Sequence, residues 1–185
     1  MKSPRFVSVK LLAIALIAGL SFSASAAWAQ STPAKLGPPQ KAPAMNDAEA
    51  VEKVIIDLFD AMRAGDGEKV STLFVEGTIL QSTSTSPQGD AQMNSLPMSQ
   101  FAAAVGQPRD QVWDERIWDL DIKIDGRLAS AWMNYAFYVD ETFSHCGVNS
   151  VQMFKGSEGW KIMYIADSRQ KAACKIPEDI KNAGK

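Results

Sequence analysis

The chain has 185 residues, with 19 Lys/Arg against 21 Asp/Glu, a single histidine and a formal net charge of −2. A mildly acidic chain without a Lys/Arg cluster is a poor candidate for binding nucleic acid or an anionic membrane surface. One histidine and two cysteines set apart along the chain lack any known metal-ligand spacing, so no metal is expected.

Lys2, Arg5 and Lys10 make a basic start, Leu11 to Leu20 an apolar run of ten residues, and Ala27-Trp28-Ala29 precedes Gln30. That layout is a secretory signal peptide over residues 1–29, with Ala24-Ser25-Ala26 as an alternative cleavage site. The run is too short for a spanning helix of about 20 residues. Cleavage after Ala29 leaves 156 residues with 16 basic against 21 acidic side chains, enough for one domain with its own core. The expected location is periplasmic or secreted, with no membrane contact after cleavage.

Residues 30–45, rich in Pro, Ala, Gln and Lys, read as a flexible linker. Order is expected from Asn46, a helix cap, with Val51, Val54, Ile55, Leu58, Phe59 and Met62 forming one apolar stripe. The helix stops at Ala64-Gly65. "DGEKVSTLF" restarts a short helix from Asp66 that buries Val70, Leu73 and Phe74. "EGTILQSTSTSPQGD" reads as a strand entering a polar loop, and "PMSQFAAAV" as a short helix opened by Pro97.

From Val112 the pattern changes to four strands: "VWDERIWDLDIKI", "RLASAWMNYAFYV", "FSHCGVNSVQMF" and "GWKIMYIADSR". Asp125-Gly126 predicts a hairpin between the first two, and Gly156 with Gly159 another between the last two. Helices followed by a long antiparallel meander make an α+β domain over residues 46–174, with a tail at 175–185.

This order of elements, with "GDGEKVSTLF" after the first helix and "FSHCGVNS", "GWKI", "DSR" and a final cysteine late in the chain, resembles the nuclear-transport-factor-2-like (NTF2-like) superfamily. Within it, the chain is most similar to exported bacterial SnoaL-like or DUF4440-type proteins. The resemblance implies a cone-shaped curved sheet wrapped round the long N-terminal helix, a small-molecule pocket at its open end, and a homodimer through the sheet. It leaves the activity open, since such relatives include isomerases, dehydratases, hydrolases, cyclases and binders without catalysis. Two branches do not carry over. The acid of the steroid-isomerase branch corresponds here to Ser150, and the paired histidines of the dehydratase branch have no match in a chain with one histidine.

Alternation along strands and the two hairpin turns set an expected register. A two-residue Asp125-Gly126 turn places Ile124 opposite Arg127, Trp118 opposite Met133 and Arg116 opposite Tyr135. Pairing Gly156 with Gly159 places Val148 opposite Asp167 and Cys146 opposite Arg169. One face then carries Arg116, Trp118, Met133, Tyr135, Gln152, Asp167 and Arg169, the expected lining of an apolar pocket. The other carries Trp132, Asn134, Tyr138, His145, Asn149 and Tyr164, the expected dimer surface.

The candidate chemistries follow from those faces. His145 activating Cys146 as a nucleophile is disfavoured, because neighbours in a strand point to opposite sides. Two cysteines in an exported chain favour a Cys146–Cys174 disulfide instead. Asp167 and Arg169 are either a polar clamp for a ligand carboxylate or carbonyl, completed by Tyr135 and Gln152, or an internal ion pair. No phosphate loop, Walker motif or nucleophile elbow is present, so no cofactor is expected. Two functions remain: an exported module that binds a small, mainly apolar molecule, and a cofactor-free isomerase- or hydrolase-type enzyme with Asp167 or His145 as its base.

Overall fold

The computed structural model describes residues 45–183. The signal peptide expected at 1–29 and the linker expected at 30–45, Met45 excepted, lie outside the described residues. Helix α1 runs Met45–Ala64 and α2 Gly67–Thr72. Every residue of the expected α1 stripe except Val54 is buried, and Val54 packs against the same core. Asp66 caps α2, its carboxylate accepting from the Lys69 N–H at 2.8 Å, as a side chain must where helical N–H groups lack partners.

Strands β1 (Ile79–Thr85) and β2 (Ala91–Pro97) form a hairpin where a strand and loop were expected. β2 is exposed along nearly its whole length. An edge strand with no buried face has no alternation to betray it in sequence. Pro97 then opens α3, Met98–Val105. The meander follows as β3 (Trp113–Asp125), β4 (Leu128–Val139), β5 (Thr142–Gly156) and β6 (Gly159–Arg169). The six strands make one curved sheet in the order β2-β1-β6-β5-β4-β3, antiparallel except where β1 pairs parallel with β6. The expected α+β architecture is present, with α1 packed on β3 and β6. A five-residue helix, α4 (Glu178–Asn182), closes the described chain.

The register departs from expectation at the β3–β4 turn and at two of the sheet's three bulges. The β3–β4 turn centres on Gly126-Arg127, so Asp125 rather than Ile124 closes the ladder, opposite Leu128. A bulge between Trp118 and Asp121 then shifts the pairing, with Asp119 in the left-handed region at φ 53°. The Asn134 amide donates to the Asp119 carboxylate at 3.0 Å across it. Beyond the bulge Trp118 pairs with Asn134, Arg116 with Ala136, and Glu115 with Phe137. In β6 a second bulge at Met163 sets Asn149, not Val148, opposite Asp167. The third lies in β5 at Ser144, between the pairs Phe137–His145 and Tyr138–Phe143. Each bulge inserts one residue, and one residue exchanges the two faces of a strand from that point on.

Cys146 and Cys174 form the disulfide, with Cα atoms 6.1 Å apart. Cys146 is opposite Gln170, not Arg169, and exchanges both backbone hydrogen bonds with it at 2.9 Å. The tail turns back through Ala173, whose φ is 60°.

Candidate functional site

The concave face of the sheet, α1 and α3 enclose a cavity of about 400 Å3. Leu58, Phe59 and Met62 from α1, Phe101 from α3, and Trp113 and Phe137 from the sheet make most of its wall. Polar groups collect on four neighbouring strands: Glu115 on β3, Tyr135 on β4, His145 and Asn149 on β5, and Asp167 and Arg169 on β6. An apolar chamber with a few converging polar groups is the usual form of a small-molecule site.

Asp167 is the most constrained of these groups. Ser82 donates to its Oδ1 at 2.5 Å, and Arg169 Nε to its Oδ2 at 2.6 Å with Nη2 reaching Oδ1 at 3.3 Å. The Tyr135 hydroxyl lies 3.1 Å from Oδ2 and 2.9 Å from the Ser168 carbonyl. Burial, and next the charge of Asp167, hold this phenol far above its ordinary range. Gly147 makes the arrangement possible. A Cβ there would stand 1.7 Å from the Ser168 carbonyl oxygen, so only glycine lets β6 approach this closely.

Glu115 is the second acid of the cavity lining. Burial lifts its carboxyl from 4.5 to about 7, against the Asn149 amide that donates to Oε1 at 2.7 Å, and the charge of Asp167 adds to the rise. His145 moves the other way: burial, and then the charge of Arg169, lower it to about 4. Its ring lies against Phe137, with centroids 5.0 Å apart, and edge-on to Tyr135. Ser144 Oγ sits 3.0 Å from Nδ1. When that hydroxyl donates to Nδ1 of the neutral ring, Nε2 carries the proton.

Of the residues expected to line the pocket, Tyr135, Asp167 and Arg169 do so. Met133 packs in the core cluster instead. Trp118 and Gln152 are on the outer face, opposite Asn134 and Tyr164, because of the bulges at Asp119 and Met163. Arg116 is also outside. It bonds Asp114 at 2.7 Å, donates to the carbonyls of Ile180 and Lys181 in α4, and stacks 4.1 Å above the Tyr138 ring. His145 and Asn149, expected on the dimer surface, face the cavity, because the Met163 bulge turns the odd-numbered residues of β5 inward. Cys146 points away from His145 and is tied to Cys174, so the two make no catalytic pair. Sequence reasoning missed Glu115 and Trp113 altogether. Their only available signal was the alternation of β3 read backwards from its N-terminal end, which the bulge reverses.

No protein-family model matches the chain. No curated protein matches it either. Solved structures do. An NTF2-like protein from Cytophaga hutchinsonii superposes with a TM-score of 0.55 at 14% identity, covering 68% of this chain and 100% of that one. An NTF2-like protein of unknown function from Shewanella baltica gives 0.53 at 10%, covering 71% and 100%. A Streptomyces avermitilis protein of the NTF2-like family, named for a proposed dehydratase activity, gives 0.51 at 15%, covering 69% and 98%. At these identities the likeness shows the fold, and the fold is NTF2-like. It is one that proteins named for enzyme activities and proteins without known activity share, so the site must supply any functional argument.

Proposed function

We propose that this chain is an exported small-molecule-binding protein of the SnoaL-like or DUF4440 type, whose cavity takes a mainly apolar molecule. The observation that carries the reading is the cavity itself: about 400 Å3, walled by aromatic and aliphatic side chains, with its polar groups gathered on adjacent strands. Export is supported by the leader-like N-terminus and by the disulfide, a bond that persists in oxidising compartments. Among the described residues no helix is long and apolar enough to cross a membrane. Titration with N-phenyl-1-naphthylamine, a neutral probe that fluoresces in apolar surroundings, tests the binding. Saturable uptake of one probe per chain is expected. Ala104→Trp, at the exposed rim of the cavity, should weaken it about tenfold or more. Uptake that never saturates, or that Ala104→Trp leaves unchanged, would remove the reading.

A second reading, a cofactor-free enzyme working by proton transfer, is favoured by one specific observation. Glu115, held at about 7, shares the cavity with a neutral His145. A carboxyl poised near neutral pH is suited to take or return a proton. Glu115 replaces Asp167 as the carboxylate base of that reading, since Asp167 is occupied by Ser82, Tyr135 and Arg169; His145 stays beside it. Any turnover found should show a titrating limb near pH 7 that Glu115→Gln abolishes, while a rate flat from about pH 5 to 9 would exclude Glu115 as the proton carrier.

A further inference from the structure

We propose that the cavity selects uncharged, oxygen-bearing apolar molecules and turns away organic anions, with Glu115 as the discriminating residue. This rests on the cavity being the binding site, and it replaces the ligand-carboxylate clamp that the sequence allowed.

The charges facing the cavity carry the argument. Arg169 is its one cation among the described residues, and Asp167 already engages that guanidinium through Nε and Nη2 at 2.6 and 3.3 Å. The pair is internally neutral, so an incoming carboxylate would meet Asp167 as well as Arg169. Glu115 adds a second carboxyl on the other side of Asn149, which pairs with Asp167 in the ladder and donates to Glu115 through its amide. To the same lining β4 brings only Tyr135, Phe137 and Val139, and β5 brings Asn149 and His145. Within β3 itself, Asp114 points to the opposite side and is held by Arg63 and Arg116 at 2.8 and 2.7 Å. Both helices contribute apolar side chains: Leu58, Phe59 and Met62 from α1, Phe101 and Ala104 from α3. β1 and β2 add Leu80 and Leu96. None of these elements turns a second Lys or Arg into the lining; Lys171, just past β6, is exposed and reaches His145 only by its charge. An anion buried here would lose its hydration without gaining an unshared counter-ion, which is costly in a low-dielectric site.

An uncharged oxygen fares differently. The polar groups offer donors to it: the N–H of neutral His145, Nη1 of Arg169, which has no hydrogen-bond partner among the described residues, and the Glu115 carboxyl when protonated. A carbonyl or ether oxygen accepts from any of these without introducing charge. Since burial holds Glu115 at about 7, the cavity gains a negative charge as pH rises through neutrality, and its rejection of anions should sharpen there.

Two probes of matched shape test this on the full mature protein, 2-acetylnaphthalene as the neutral ketone and 2-naphthoate as the anion. Each is read by displacement of bound N-phenyl-1-naphthylamine. At about pH 8 the ketone should bind at least about tenfold more tightly than the carboxylate, as a single unpaired like charge a few ångströms away implies. The ratio should narrow at about pH 6, and Glu115→Gln should remove that pH dependence. Wild-type protein binding the carboxylate as tightly as the ketone at pH 8 would overturn the proposal without reference to any variant. A preference that Glu115→Gln leaves unaltered, pH dependence included, would overturn the role of Glu115. Failure of both probes to displace the dye would instead overturn the cavity as the binding site, and this inference with it.

Discussion

Glu115 and His145 face the same cavity, and burial moves them in opposite directions, so their effects on stability oppose each other. For Glu115 the folded pKa is raised from 4.5 to about 7. The folded state therefore holds the proton more tightly, and the stability this contributes is complete below about pH 4.5 and lost as pH rises to 7. For His145 the folded pKa is lowered from 6.5 to about 4, so its contribution is complete above pH 6.5 and lost as pH falls to 4. The wild-type protein should accordingly vary little in stability between these limits on account of this pair. Glu115→Gln should unmask the histidine, giving stability that climbs from pH 4 to 6.5 and then levels. At pH 8 the variant should be more stable than wild type, by about 1–3 kcal/mol. Urea melts across that range check it; a variant less stable than wild type at pH 8 would mean that Glu115 does not carry a buried charge. Neither place was legible in the sequence. The sequence offers His145 as a base yet puts it on the outer face, and it passes over Glu115, because both assignments hang on register.

At the scale of elements, α1, α2 and α3 were legible, α4 and β2 were not, and the sheet's faces were so only in part. The α1 stripe and the Asp66 cap are local patterns, fixed by spacing within a few residues. Hairpin turns are local too, and Gly156 pairs with Gly159 as read. Bulges are not local: nothing in "RIWDLDIKI" marks Asp119 as the inserted residue, which bends β3 and raises its twist at that point. One bulge in β3 was enough to move Trp118 and Arg116 out of the cavity and Glu115 into it. Tyr135, Asp167 and Arg169 line the cavity in spite of this because they lie on strands whose inward parity was assigned correctly.

Substitutions at two glycines separate a close strand contact from an open turn. Gly147→Ala must push β5 from β6 at the Ser168 carbonyl, and should cost about 3 kcal/mol or more, read as a lower urea midpoint. Gly126→Ala, in a turn open to solvent, should cost less, about 1 kcal/mol, through its positive φ alone. Equal effects would show that the β5–β6 approach is not tight. The disulfide joins residues 28 apart, and reducing it should remove about 3–4 kcal/mol if its effect is mainly on the entropy of the unfolded chain. Its place beside His145, and one residue from Arg169 through the Cys146–Gln170 bridge, leads to a second expectation. Reduction should weaken probe binding as well as lower the melting temperature, whereas a loss of stability with unchanged affinity would confine the bond to the fold.

At the scale of the whole molecule, the outer face of the sheet leaves several large apolar side chains uncovered among the described residues. Trp132 is 57% exposed, and Leu128, Phe154 and Tyr164 are exposed on the same side. Tyr138, expected there, is covered by Arg116 and edged by Phe143. Contiguous exposed apolar surface of this kind usually marks a contact, and a two-fold homodimer through the sheet remains our proposal. Light scattering should give about twice the chain mass, reduced to one by Trp132→Glu; a wild-type monomer at high concentration would rule it out. Mature protein from the native host should begin near Gln30, and an intact Met1 would argue against export.

The central claim is that the space between α1, α3 and the concave sheet holds a small apolar molecule, with its oxygen directed at Glu115, His145 and Arg169. A crystal structure of the protein grown with 2-acetylnaphthalene tests it most directly. The expected result is one ketone against Phe59, Phe101 and Phe137, its carbonyl oxygen within about 3 Å of a donor on Glu115, His145 or Arg169. A ketone found only on the outer face, beside Trp132, with the cavity filled by ordered water, would contradict it.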